Sequence, residues 1–193
     1  MPKGFKKNRS TPRVYGVGYL GGSEYNTTTH NQAYFVWAGM LKRCYSEKFQ
    51  LKHKSYIGCK VCNDWHNFQN FAKWYSENCP LNYKGKLQLD KDILSPQLSG
   101  KLYSPENCCI IPRELNACLV KTKDIQSFWK EKDKAYVVTV SKVYLGYFRD
   151  KFSAETAYKT AKLLNIKICA NRFRSFLAQR VLERVENLCL QDI

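Results

Sequence analysis

Apolar positions along the chain fall into short blocks of differing period. Val14-Tyr15-Gly16-Val17-Gly18-Tyr19-Leu20 alternates as a short strand does, and Gly21-Gly22-Ser23 ends it. Tyr34, Trp37, Leu41 and Cys44 then recur at helical spacing, and Trp65, Phe68, Phe71 and Trp74 form a second helical stripe. Between them, residues 55–62 predict a turn entering a short strand. Residues 86–94 alternate as a strand, and a loop with Pro96 and Gly100 follows. An apolar run at 108–111 leads into a short helix over 112–119. After a polar join at 121–126, residues 135–140 and 143–148 are two strands rich in Tyr and Val. Ser153 is expected to cap the next helix, whose face is Ala154, Ala157, Tyr158, Ala161 and Leu164. Phe173, Phe176, Leu177, Val181, Val185 and Leu188 predict one last helix. The fold class expected is α+β.

Charge sharpens this picture. The 193 residues hold 32 Lys and Arg against 16 Asp and Glu, a net charge of +16. A solvated surface normally mixes both signs, so an excess of this size points to a polyanion, and nucleic acid is the usual one. Lys3, Lys6, Lys7, Arg9 and Arg13 make residues 1–13 a basic arm with no acid. No apolar stretch follows them as in a secretory signal, and nothing resembles a membrane span; the cytosol is the expected location. Nine cysteines are many for a reducing compartment, and an odd number fits no simple disulfide framework.

Cutting a phosphodiester requires an ion to neutralise charge in the transition state and a base to activate water. The segments Leu89-Asp90-Lys91-Asp92, Tyr103-Ser104-Pro105-Glu106-Asn107-Cys108 and Pro112-Arg113-Glu114-Leu115-Asn116 resemble the HNH (His-Me finger) pattern in its phage, homing-endonuclease-like form. Trp37, Met40-Leu41, Arg43-Cys44-Tyr45, Cys59 and Val61-Cys62 resemble the same family, so the likeness spans roughly residues 34–120. It implies a ββα-metal finger with flanking helices. By position, Asp90 is the carboxylate that holds a Mg²⁺ or Mn²⁺ ion, with Asn116 as the helix ligand and Asp92 as an alternative. Asn107 braces the loop. Lys91 stands where the family has its general-base His, and His30, His53 and His66 all lie outside the finger. A lysine serves as base only if its pKa falls far below about 10.4; otherwise it steadies developing charge. An inactive finger kept for binding is the competing reading.

Cys59-Lys60-Val61-Cys62 supplies two soft ligands, and Cys44 and Cys108, inside the same motifs, are candidates for the other two of a structural Zn²⁺ site. Buried free thiols are the alternative.

Residues 127–172 resemble the ethylene-response-factor (APETALA-type) domain, through Leu145-Gly146-Tyr147-Phe148 and Ala154-Glu155-Thr156-Ala157-Tyr158. That family lays a three-stranded sheet, backed by one helix, in the DNA major groove. The likeness implies contacts from Trp129, Lys130, Lys132, Lys134, Tyr136, Lys142, Tyr144, Tyr147 and Arg149, lysines mostly to phosphates and Arg149 to guanine. The organisation expected is a basic arm with a short strand (1–32), a nuclease domain (33–120) and a DNA-binding domain with a last helix (121–193). The function expected is a site-preferring, metal-dependent endonuclease, nicking double-stranded DNA as a monomer. A DNA-binding regulator and an RNA-binding module are the alternatives.

Overall fold

The structure is a computed structural model and describes residues 11–80, 82–94, 101–120 and 128–193. Most of the basic arm, the loop around Pro96 and the join at 121–126 lie outside them. Helices and small sheets alternate in an α+β chain. It divides into two compact units, residues 1–80 with 89–110, and residues 81–88 with 111–193. Strands β2 (Leu87–Asp90) and β4 (Cys109–Pro112) pair in a two-stranded sheet, and the chain changes unit at 88/89 and 110/111, inside the segment expected as one nuclease domain. The strand expected over 86–94 is the shorter β2, because the chain bends at 91–94.

In the first unit, α1 (Asn31–Tyr45) buries Ala33, Trp37, Met40, Leu41 and Cys44. It packs on α3 (Phe68–Asn78), which buries Phe68, Phe71, Ala72, Trp74 and Tyr75. Asn67 starts α3 by accepting the Gln69 N–H at 3.0 Å. Trp65 sits ahead of that helix in a 3₁₀ turn, its ring 4.6 Å from Trp74, while its carbonyl accepts from Trp37 Nε1 at 2.6 Å. The short α2 (Glu47–Lys52) is capped by Ser46. β1 (Lys60–Val61) pairs in parallel with β3 (Leu102–Tyr103).

Residues 14–20 do not run as the expected strand. Tyr15 and Gly16 are left-handed, Val14 bridges back to Gly18, and only Tyr19 pairs onward, with Asn67. The reason is close packing at Gly18. A Cβ there would meet Leu41 and lie 2.9 Å from the Trp37 ring, so the backbone itself covers that ring.

In the second unit, β5 (Trp129–Lys130), β6 (Ala135–Val140) and β7 (Val143–Phe148) form an antiparallel sheet in that order. The β6–β7 strands fall where the alternation places them. Their turn, Ser141-Lys142, takes two left-handed residues, the geometry that matches strand twist. Asn165 Nδ2 donates to Ser141 Oγ at 2.8 Å and ties the turn to α5 (Lys151–Arg172), which backs the sheet. Asp150, not Ser153, caps α5: its carboxylate accepts the Ser153 N–H at 2.8 Å. The carboxylate holds its charge one residue before the helix, where the N–H groups point.

The buried face of α5 is Ala154, Lys162, Ile166 and Ala170, and Leu164 is exposed, contrary to the expected stripe. Over so long a helix the buried line follows steps of four, which carries it away from Leu164. α4 (Arg113–Leu119) and α6 (Gln179–Glu186) both pack on α5. The expected single last helix is broken, because Arg174–Phe176 form a 3₁₀ turn before α6. Phe173 and Phe176 in that break hold the Tyr83 ring, at 5.9 and 5.0 Å.

Candidate functional site

On its helix-facing side the sheet buries Tyr136 and Val138 with Ala154 of α5, and Phe128, Trp129, Leu145, Phe148 and Tyr158 pack around them. Tyr136 is therefore a core residue, against the expectation that it touches DNA. It shares the inward phase of β6 with Val138 and Val140, and its ring meets Trp129 edge-on at 4.9 Å.

The outer face is built differently. A register irregularity between Val138 and Thr139, opposite Gly146 at φ +131°, breaks strict alternation along β7. Leu145 and Phe148 turn inward, and Tyr144 and Tyr147, three residues apart, become neighbours outside with ring centroids 5.8 Å apart. Both are more than half exposed. Lys130, Lys132, Lys142 and Arg149 are exposed as well. Arg149 Nη1 donates to the Asp133 and Lys134 carbonyls at 3.3 Å each, which steadies the guanidinium. Lys134 is left-handed and ion-paired with Glu131, which also accepts from Trp129 Nε1 at 2.8 Å. Lys134 and Trp129 thus share Glu131 at the exposed turn between β5 and β6.

The expected catalytic residues divide between the units, Asp90, Lys91, Asp92 and Asn107 in the first and Asn116 in the second. Asp90 ends β2. Its Oδ1 accepts the N–H groups of Asp92 (3.0 Å) and Ile93 (2.8 Å), which fixes the carboxylate in the turn. Burial raises the Asp90 pKa above its ordinary value, and the charge of Asp92 adds to the rise, while those two N–H groups and Lys91 oppose it. A carboxylate that resists ionising, next to an exposed second one, is a setting that a divalent cation relieves. The Asp90 and Asp92 oxygens fit such an ion in donor chemistry.

Lys91 is buried. Its Nζ donates to Asp92 Oδ1 at 2.5 Å and lies 5.8 Å from the centre of the Tyr103 ring. Its charge bears on Cys44, Cys59 and Cys108. The side chain expected at the general-base position is thus committed to the interior and to Asp92. Asn107 Nδ2 donates to the Leu102 carbonyl at 3.3 Å and ties its turn to β3. Asn116 Nδ2 donates to Gln88 Oε1 at 2.7 Å within the second unit. Gln88 is a partner that strand alternation alone did not single out.

All four candidate zinc ligands lie in the first unit as thiols, outside any disulfide. Burial pushes Cys44 up to about 12, and neighbouring Cys59 adds to the rise. Burial likewise pushes Cys108 up to about 12, with Asp90 and Cys62 adding to it. Among the described residues, no three His, Cys, Asp or Glu side chains gather closely enough to hold an ion.

A second buried cation, Lys162, was missed by sequence reasoning. Its Nζ donates to the Val120 carbonyl at 2.6 Å and lies 5.9 Å from the Tyr158 ring centre, and burial lowers its pKa. The signal was present: 154, 158, 162, 166 and 170 step by four along one helical face.

No helix among the described residues is long and apolar enough to cross a membrane. The chain matches no protein-family model, no curated protein and no solved structure.

Proposed function

We propose that this protein is a metal-dependent DNA endonuclease that holds duplex DNA with the outer face of its three-stranded sheet and nicks one strand. The observation that carries the cutting step is Asp90. It is a carboxylate fixed by two backbone N–H groups and set beside Asp92, its pKa raised by burial, in a chain of net charge +16. Asp90, with Asp92 beside it, would hold Mg²⁺ or Mn²⁺, and Asn116 is the further ligand that the HNH resemblance implies. The ion supplies charge neutralisation at the scissile phosphate. The chain's own contribution is to orient the Asp90 carboxylate, brace the neighbouring turn through Asn107 and keep DNA against the basic face. One finger offers one cutting centre, which supports nicking by a monomer.

Supercoiled plasmid with Mg²⁺ or Mn²⁺ is expected to become nicked circles. Asp90→Ala and Asn116→Ala are each expected to lower the rate by 10²-fold or more, on the order of what one electrostatic group contributes, with duplex binding retained. Undiminished nicking by the double variant refutes the assignment.

A second reading, a DNA-binding protein whose finger does not cut, is favoured by one observation. Lys91, in the base position, is buried and paired with Asp92. Binding without nicking in either metal selects that reading.

A further inference from the structure

The first unit carries a cationic surface that neither the finger nor the sheet accounts for. Between residues 42 and 60 stand Lys42, Arg43, Lys48, Lys52, Lys54 and Lys60 against a single acid, Glu47. All six but Arg43 are exposed. A solvated helix face normally alternates signs, and this one does not.

The surface is also built, not merely charged. Gln50 Nε2 donates to the carbonyls of Arg43 (3.1 Å), Cys44 (2.7 Å) and Tyr56 (3.2 Å), which sews the end of α1 to α2 and to the turn beyond it. Aromatic rings then position Lys42 and Arg43. Lys42 Nζ lies 5.4 Å from the centre of the Phe49 ring, which stacks on His53 at 4.3 Å and meets Tyr56 at 5.8 Å. The Arg43 guanidinium lies 5.9 Å from Tyr56 and 5.5 Å from Tyr103, and donates to the Tyr103 hydroxyl at 3.1 Å. Lys101, from a distant part of the sequence, joins the same surface by donating to the Ile57 carbonyl at 2.7 Å. Cations held in place by stacking and hydrogen bonds lose less freedom when they meet a partner.

We infer that the surface formed by α2 and its flanking turns is a second nucleic-acid contact that grips the phosphate backbone without reading bases. The inference rests on the reading of this protein as a DNA binder, and adds a contact in the unit that carries Asp90. Lysines dominate it, and lysine meets phosphate as a point charge, so the contact sets affinity and salt dependence, not sequence preference.

The test is the salt dependence of binding to a short fluorescent duplex, followed by anisotropy, in the full chain. Removing one lysine that neutralises a phosphate makes the slope of log K against log salt shallower by about 0.9. Lys48→Gln, Lys52→Gln and Lys54→Gln together are expected to flatten the slope by about 2 to 3. Between 50 and 200 mM salt the wild type then loses roughly 40-fold more affinity than the variant. The corresponding triple Lys→Arg variant, which keeps the charge, is expected to hold the wild-type slope, and this separates lost charge from damaged fold. A control with the same net charge, Lys73→Gln, Lys84→Gln and Lys151→Gln, is expected to change it by less than one. An unchanged slope in the first variant overturns the inference. So does an equal flattening in the control, which would reduce the effect to net charge. So does an unchanged slope alongside lost sedimentation with phosphatidylserine vesicles, which would make the surface a membrane contact. A wild type that binds with a steep slope and never nicks leaves the inference standing while the endonuclease reading falls.

Discussion

Tyr136 and Tyr147 lie on adjacent strands of one sheet and face opposite ways. The Tyr136 ring is buried with Trp129 and Val138, so removing it opens a cavity. The Tyr147 ring is exposed beside Tyr144. Tyr136→Ala is expected to cost about 3 kcal/mol in denaturant unfolding. Tyr147→Ala is expected to leave the melting temperature within about 2 °C, since surface changes are usually worth under 0.5 kcal/mol, and to weaken duplex binding several-fold. A Tyr147→Ala variant with full affinity would remove the aromatic pair from the interface. Period-two alternation alone could not sort these two tyrosines. Strict alternation puts Tyr144 and Tyr147 on opposite sides, and it is the irregularity opposite Gly146 that brings them together.

Elements end where local side chains satisfy the backbone, and those ends titrate. After α6 the chain is fixed by Asp192. Its carboxylate accepts the Cys189 N–H at 2.9 Å and Arg184 Nη2 at 2.7 Å. These partners, the N–H foremost, hold its pKa at about 2, below the ordinary 3.8 of an aspartate. A depressed carboxylate pKa contributes stability that is complete above the unfolded value and disappears as pH falls through the folded one. The difference in melting temperature between wild type and Asp192→Asn is therefore expected to be constant near neutrality and to shrink as pH falls from about 4 to about 2. A difference that persists at pH 2 would show that the clamp does not act through charge. The sequence made most elements legible, because periods of 3.6 and 2 reflect which side is buried. It placed α1, α3, α4, β6 and β7 closely. It misplaced the cap of α5 by three residues, since Asp150 and Ser153 are both good caps and only the backbone path chooses between them. It also missed the turn at 14–18, where packing at Gly18 overrides alternation. At the candidate site, the residue types were legible in order along the chain. That Lys91 points inward to Asp92 and the thiols was not, because a strand end gives no periodicity to read.

For the whole molecule, the two units share the chain unevenly. Residues 81–88 belong with 111–193, and 89–110 return to the first unit. A chain ending at 120 would keep Ile111 and Leu115, both fully buried, without α5 and its neighbours. Such a fragment is expected to aggregate or to lose α4, as limited proteolysis would show by cleavage within 113–119. A soluble fragment with a sharp melt would mean that the first unit includes that helix after all.

The same interleaving bears on how the protein can be inherited. The chain passes between the units at three places, 80/81, 88/89 and 110/111. A genetic crossover at any of them joins a partial unit to a stranger's remainder, so neither half travels alone as a cassette. Gene exchange should hand this chain on as a single block, with shuffling confined to its ends.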